Sequence, residues 1–266
     1  MIANILTIAG SDSGGGAGVQ ADLKTISALE CYGLSVVNAV TAQNTQGVRA
    51  IHPIPVDVVR HQLEAVFEDI RIDAVKVGMV GSPDIVEVIV KALQRFKPAH
   101  VVVDPVMVSG SGNPLADAGT IDAIRYKLLP MANVVTPNMP EAEVLLNRKF
   151  DGEMEEFAAD LLKLEPGHVF LKGGHVKNQE STDIFASRDR SIILTEDKIE
   201  TNNTHGTGCT LSSAIASFLA QGNTLTQAVD LGKQYISRAI AHADELQVGQ
   251  GHGPVNHFFA GHGNVR

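Results

Sequence analysis

The sequence predicts an α/β fold, a doubly wound, mostly parallel central sheet flanked by helices on both faces. Three observations predict it. Short apolar, β-rich runs alternate with segments whose apolar residues recur at helical spacing, as βαβ units require. Run after run ends in a glycine-rich or polar turn, so the junctions make one row of strand ends. No repeat, low-complexity tract or linker interrupts the 266 residues, and residues 1–266 are read as a single domain.

Residues 5–9 form the first strand. It stops at Gly10-Ser11-Asp12-Ser13-Gly14-Gly15-Gly16-Ala17-Gly18, after which Val19, Leu23, Ile26 and Leu29 recur at helical spacing. This turn is not a dinucleotide fingerprint, because Val19 stands where the third glycine of GxGxxG belongs; the P-loop pattern is absent too. Residues 34–40 are the second strand, followed by a polar cluster, residues 41–46, read as a loop. Within it Gln43 offers either a donor and acceptor edge for a heteroaromatic ring or an ordinary polar loop residue. Pro55 suits a first helical position, and Val59, Leu63, Val66, Phe67 and Ile70 give the next helix one apolar face.

Residues 74–79 are the third strand, 83–96 a helix, and 100–104 the fourth strand. Asp104 closes that strand, as a ligand group at the sheet edge or as a turn cap, and a polar, glycine-rich stretch runs on through Gly112. Residues 133–135 are the fifth strand, and Pro140 opens a helix. Asn138 and Glu141 read two ways there, as a cap with a first-turn acid or as oxygen donors suited to Mg²⁺. The sixth strand, 169–172, delivers Lys172-Gly173-Gly174-His175, where Lys172 is a phosphate contact or a solvated turn lysine. Residues 181–187 and 191–195 are extra strands around Arg188-Asp189-Arg190, followed by helices over 207–220 and 225–246. His252, His257 and His262 lack carboxylate or cysteine partners for a metal, so a docked or frayed tail is expected.

Thirty acidic against 21 basic residues give a formal charge of −9, with no basic run, which argues against a nucleic-acid surface. Any polyphosphate ligand needs local donors. Cys31 and Cys209 are the only cysteines and lack CxxC spacing, so neither a disulfide framework nor a zinc site is suggested. No apolar run approaches the roughly 18 residues that span a bilayer. The reading is a cytoplasmic protein.

The stretch that organises these pieces is Thr204-His205-Gly206-Thr207-Gly208-Cys209-Thr210. Glycines frame the first turn of a helix, so backbone N–H groups and the positive end of the helix dipole point at one spot. A phosphate suits it. Cys209 is either a small buried cysteine or a thiol whose pKa the helix start lowers from about 8.5, making it a proton acceptor.

Taken together, residues 9–22, Ala42-Gln43-Asn44-Thr45, Thr136-Pro137-Asn138-Met139-Pro140-Glu141-Ala142-Glu143, Lys172-Gly173-Gly174-His175 and the 204–209 turn resemble the hydroxymethylpyrimidine/phosphomethylpyrimidine kinases. That is the thiamine-pathway family of the ribokinase-like superfamily, and the resemblance runs from the first strand to about His257. It implies ATP as donor, Mg²⁺ as helper, and 4-amino-5-hydroxymethyl-2-methylpyrimidine and then its monophosphate as acceptors. A homodimer is implied as well. The resemblance puts Gly10, Asp22, Gln43, Met79 and Val106 in the pyrimidine pocket, with Gln43 on the ring's amino and nitrogen edge. It puts Gly206, Thr207 and Gly208 around the migrating phosphoryl group, and Cys209 where sugar kinases carry an aspartate base. Lys172 meets ATP phosphates, Asn138 and Glu141 organise Mg²⁺ and phosphate, with Glu141 the metal ligand, and Asp104 lies by the same charges. Pyridoxal kinase activity, alone or in addition, is the rival reading; a non-catalytic pyrimidine or nucleotide sensor is the rival from another class.

Overall fold

The computed structural model describes residues 1–107, 115–174 and 180–260. Its strands are β1 (Asn4–Asp12), β2 (Tyr32–Asn44), β3 (Gly47–Pro53), β4 (Ala74–Val77), β5 (Val101–Val103), β6 (Val134–Val135), β7 (Val169–Leu171), β8 (Glu180–Ala186) and β9 (Ser191–Asp197). They build one sheet of nine strands in the order β3-β2-β1-β4-β5-β6-β7-β8-β9. The run from β2 to β7 is parallel, whereas β3, β8 and β9 are antiparallel. The chain steps from β1 outward to β2, then returns to lay β4 on the other side of β1. In open α/β sheets such a reversal opens a crevice past the carboxyl ends of the strands.

The helices are α1 (Gly18–Ala28), α2 (Val56–Asp69), α3 (Pro83–Phe96), α4 (Ala118–Ala123), α5 (Met139–Leu146), α6 (Met154–Leu162), α7 (Thr207–Ala220) and α8 (Leu225–Ala241). Alternate strand residues feed two cores. Val75, Val77, Val101, Val103 and Val135 pack with α2, α3, α5 and α6, while Ala74, Val102, Val134 and Phe170 pack with α1, α7 and α8. Val101-Val102-Val103 is buried on both faces, the reason a parallel strand reads as an unbroken apolar run. Helix α3 begins as its sequence suggests, with the Ser82 hydroxyl accepting from the Ile85 amide and Pro83 in its first turn.

Three elements lie outside the sequence expectation: β3, α4 and α6. The expected loop over 41–46 is corrected, because β2 runs on to Asn44 and pairs antiparallel with β3. That hairpin is largely exposed, so it carries no apolar alternation for a sequence reading to find. The last long helix ends at Ala241 rather than 246, where His242 leaves the helical region at φ −100 and ψ 7 and a 3-10 turn follows. The tail is docked: Val255 is buried, and the Tyr235 hydroxyl donates to the His257 carbonyl at 2.7 Å. Residues 108–114, His175 and His262 fall outside the described residues. Among the described residues no helix is long and apolar enough to cross a membrane.

Candidate active site

Gly206 stands at the N-cap of α7 in the left-handed region, at φ +82. Its backbone lies so close to the Gly16 carbonyl oxygen that a β-carbon has no room, which ties the first glycine loop to the start of α7. The Thr207 amide turns back to the Thr204 carbonyl and the Thr210 amide bonds the Gly206 carbonyl, leaving the Gly208 and Cys209 amides without acceptors among the described residues. Donors left open at a helix start suit an anion.

An ion pair lies against that turn. Lys172, at the end of β7, donates from Nζ to Asp104 Oδ1 at 2.9 Å. A β-carbon on Gly208 would come 3.1 Å from that Nζ and 3.2 Å from Asp104 Oδ2, so only glycine leaves the pair undisturbed. Thr136 donates to Asp104 Oδ1 at 3.0 Å, while Asp104 Oδ2 is buried and unpartnered. Burial pushes the Asp104 carboxyl up, but the Lys172 and Lys76 ammonium groups outweigh it and hold it below the usual range.

Asn138 and Glu141 form a capping box at the start of α5: the Glu141 amide donates to Asn138 Oδ1 and the Asn138 amide to Glu141 Oε2, both at 2.8 Å. Capping therefore accounts for both letters. Glu141 is also buried beside Lys172 and Asp104; burial raises its carboxyl to about 7 against the pull of Lys172. The unmet Asp104 oxygen and the Glu141 carboxyl are hard donors of the kind Mg²⁺ takes one or two at a time, with water and phosphate completing its shell. No cluster of three or more His, Cys, Asp or Glu makes a closed metal cage among the described residues.

Beneath the turn is a charge that sequence reasoning missed. Lys76, in the middle of β4, is fully buried and donates to both Asp22 oxygens at 2.9 Å. Asp22 also accepts from Thr7 and from Ser213 at 2.8 Å, and Ser213 lies one helical turn beyond Cys209 on the same face of α7. Asp22 thus corrects its sequence assignment. It is fully buried and saturated by these donors, so in this structure it supports the floor of the site instead of lining a pocket. The signal was a lone lysine in the run Ala74-Val75-Lys76-Val77, since lysine is almost never fully buried unpaired.

Of the two readings of Cys209, the lowered pKa is the one its surroundings oppose. Its sulfur accepts from the Gly18 amide, and Lys76 pulls its pKa down, yet burial prevails and, with the Asp22 and Asp104 charges, pushes the thiol up to about 11. The helix start alone would lower it; desolvation reverses the sign. Cys209 is therefore a thiol at neutral pH. Its alkylation by iodoacetamide, followed by peptide mass spectrometry, is expected to keep accelerating from about pH 8 to beyond 10, each unit bringing about tenfold more thiolate. A plateau at or below the ordinary thiol range would contradict this.

Of the remaining residues, Gly10 and Gln43 lie near the carboxyl ends of β1 and β2, Met79 follows β4 and Val106 follows β5. Gly10, at the carboxyl end of β1, packs under the Met79 methyl group, where a β-carbon would collide. Asn38 occupies the bulge that offsets β1 from β2 and holds the Met79 carbonyl at 2.8 Å. Gln43 is half-buried near the end of β2, within 3.4 Å of His205, and Val106 is half-exposed two residues beyond Asp104.

An ion pair set against a glycine-framed helix start with open amides, at the carboxyl edge of a doubly wound α/β sheet, is the equipment of a small-molecule kinase. The chain belongs to the phosphomethylpyrimidine kinase family, whose model matches residues 12–256. It is 49% identical over 261 residues to the hydroxymethylpyrimidine/phosphomethylpyrimidine kinase of Rhizobium meliloti, spanning 97% of this chain and 98% of that one. Among solved structures, the phosphomethylpyrimidine kinase of Clostridium difficile is 45% identical, with a TM-score of 0.80 over 90% of this chain and 99% of that one. The pyridoxal kinase of Bacillus subtilis, in an ADP complex, is 34% identical, with a TM-score of 0.90 over 97% of this chain and 98% of that one.

Proposed function

We propose that the chain transfers the γ-phosphoryl group of ATP to the hydroxyl of 4-amino-5-hydroxymethyl-2-methylpyrimidine, and then a second one to the resulting monophosphate, giving the diphosphate used to build thiamine. The observation that carries this reading is the Lys172–Asp104 pair set against the open amides of α7, with Gln43 beside His205 at the same turn. Phosphoryl transfer asks chiefly for alignment and charge stabilisation, and these groups supply both. The open Gly208 and Cys209 amides meet the moving group, in a turn that Gly206 and Thr207 shape; Lys172 turns from Asp104 toward ATP phosphate, and Cys209 orients the acceptor hydroxyl. Asp104, Asn138 and Glu141 would hold Mg²⁺, directly or through water, and the ion would neutralise phosphate charge.

Gly10, Met79 and Val106 wall the ring, Gln43 reads its amino and nitrogen edge, and Asp22 acts from below through Lys76. Gln43→Ala is expected to weaken pyrimidine binding by roughly 10–100-fold, because polar groups of the ring lose their partners. ADP binding should stay within a factor of two to three. Isothermal titration with each ligand checks this; equal losses for both would make Gln43 structural.

The likeness to a pyridoxal kinase favours a second reading, phosphorylation of pyridoxal in addition to the pyrimidine. The continuous sheet supports one domain for the whole chain. Cytoplasmic location, from the cysteine usage and composition, and a homodimer, from the resemblance, belong to the same reading; sedimentation of the purified chain tests the dimer.

A further inference from the structure

The turn that delivers Lys172 to the site has a second ion pair behind it. The β7–β8 ladder pairs Val169 with Ala186, Phe170 with Phe185 and Leu171 with Ile184, so Asp183 stands next in line, opposite Lys172, where the ladder stops. At that point two successive amides are held from the two neighbours of β7. The Lys172 amide donates to the Pro137 carbonyl at 2.8 Å, on the β6 side, and the Gly173 amide donates to Asp183 Oδ1 at 2.9 Å, on the β8 side. A side-chain carboxylate, not a main-chain carbonyl of β8, therefore holds the chain just past Lys172. Only glycine fits at 173, because a β-carbon there would collide with the Thr182 carbonyl oxygen.

Asp183 is itself fixed. Its other oxygen accepts from Lys233 Nζ, on α8, at 2.8 Å, and both side chains are buried. Lys233 also donates to the Ser181 hydroxyl at 3.1 Å and to the Ser181 carbonyl at 3.4 Å, so each of its three hydrogens has an acceptor. A buried ion pair is weak evidence of a need for stability, since well-packed apolar residues of similar volume often hold a fold as well. What an apolar pair could not supply is an acceptor for the Gly173 amide. We propose that Asp183, oriented by Lys233, is a positioning residue for phosphoryl transfer: it sets the turn that carries Lys172, and with it the approach of the Lys172 ammonium to the transferred phosphate. This rests on the reading that Lys172 meets ATP phosphate.

Asp183→Leu/Lys233→Met replaces the pair with apolar side chains and leaves the Gly173 amide to find another acceptor. The full chain carrying both changes should fold, yet lose roughly 10–100-fold in kcat on each acceptor, the scale expected when a reacting group is misplaced by about 1 Å. Its affinity for the pyrimidine should stay within about threefold of the wild type, which a general loosening of the fold would not allow. Added to Lys172→Met, the same two changes should cost less than about threefold more, because groups that act through one residue are not additive. Asp183→Glu keeps the charge and pushes the carboxylate one methylene further toward Gly173. It should slow turnover in the same Lys172-dependent way, and it decides alone if the paired replacement does not fold. A folded variant of either kind with wild-type kcat overturns the proposal, as does a loss that recurs in full in the Lys172→Met background. Lys172→Met by itself separates the two layers. Full activity there defeats the reading of Lys172, whereas a slow Lys172→Met beside a fully active Asp183→Leu/Lys233→Met defeats only the positioning.

Discussion

Lys172→Met is expected to lower kcat/KM for both phosphoryl transfers by roughly 10²–10³-fold, the loss seen when one preorganised charge-stabilising donor is removed. Lys172 donates to Asp104 at 2.9 Å and lies against Gly208, so its ammonium is within a small side-chain motion of the open amides of α7. Methionine keeps the aliphatic stem and removes only the charge. Asp104 then loses its nearest countercharge while still buried, so the variant should also melt earlier, since breaking a buried pair on one side is destabilising. Steady-state kinetics on each acceptor, with thermal melts of the same samples, separates the two effects. A variant that melts earlier yet turns over both acceptors at the wild-type rate would make the pair structural only.

Gly206→Ala is expected to be at least as damaging, by a different route. The residue sits at φ +82, a region that costs an L side chain about 1–2 kcal/mol, and the new methyl group would run into the Gly16 carbonyl oxygen. That obstacle is backbone, so the start of α7 must move, and a displacement on the order of 1 Å in a phosphoryl-transfer site costs about 10²-fold or more. Gly208→Ala is the informative control. Its methyl group would press on Lys172 Nζ and Asp104 Oδ2 at 3.1 and 3.2 Å, both side-chain ends that can shift by a few tenths of an ångström. It should therefore spare stability more than Gly206→Ala while still slowing turnover. Equal melting temperatures for all three proteins, with full activity in Gly206→Ala, would contradict the close approach.

The sheet was legible because its parallel strands are buried on both faces and read as apolar runs, Val101-Val102-Val103 being the plainest. The β2–β3 hairpin was not, since exposure removes the alternation that reports a strand. Candidate site residues stand out in the sequence where a glycine or a charge stands at a strand end, as at Gly10, Asp104 and Lys172, because a parallel sheet gathers its strand ends on one edge, or at a helix start, as at Gly206. What sequence could not supply was depth. Lys76 and Asp22 lie 54 positions apart and find each other only in the folded core. Cys209 shows the same limit: a helix start is visible in sequence, whereas the burial and the two carboxylates that reverse its effect on the thiol are not. Asp12 and His205 were within the quoted motifs, but 193 residues separate them, and their pairing emerges only when the glycine loop docks on α7.

The central claim, sequential phosphorylation of a hydroxymethylpyrimidine, is tested most directly by time-resolved mass spectrometry. The purified chain is given ATP, Mg²⁺ and an equimolar mixture of 4-amino-5-hydroxymethyl-2-methylpyrimidine and pyridoxal. The account predicts pyrimidine monophosphate first, then the diphosphate at its expense, whether or not pyridoxal phosphate accompanies them. Pyridoxal phosphate without either pyrimidine product, or no phosphorylated product at all, would contradict it.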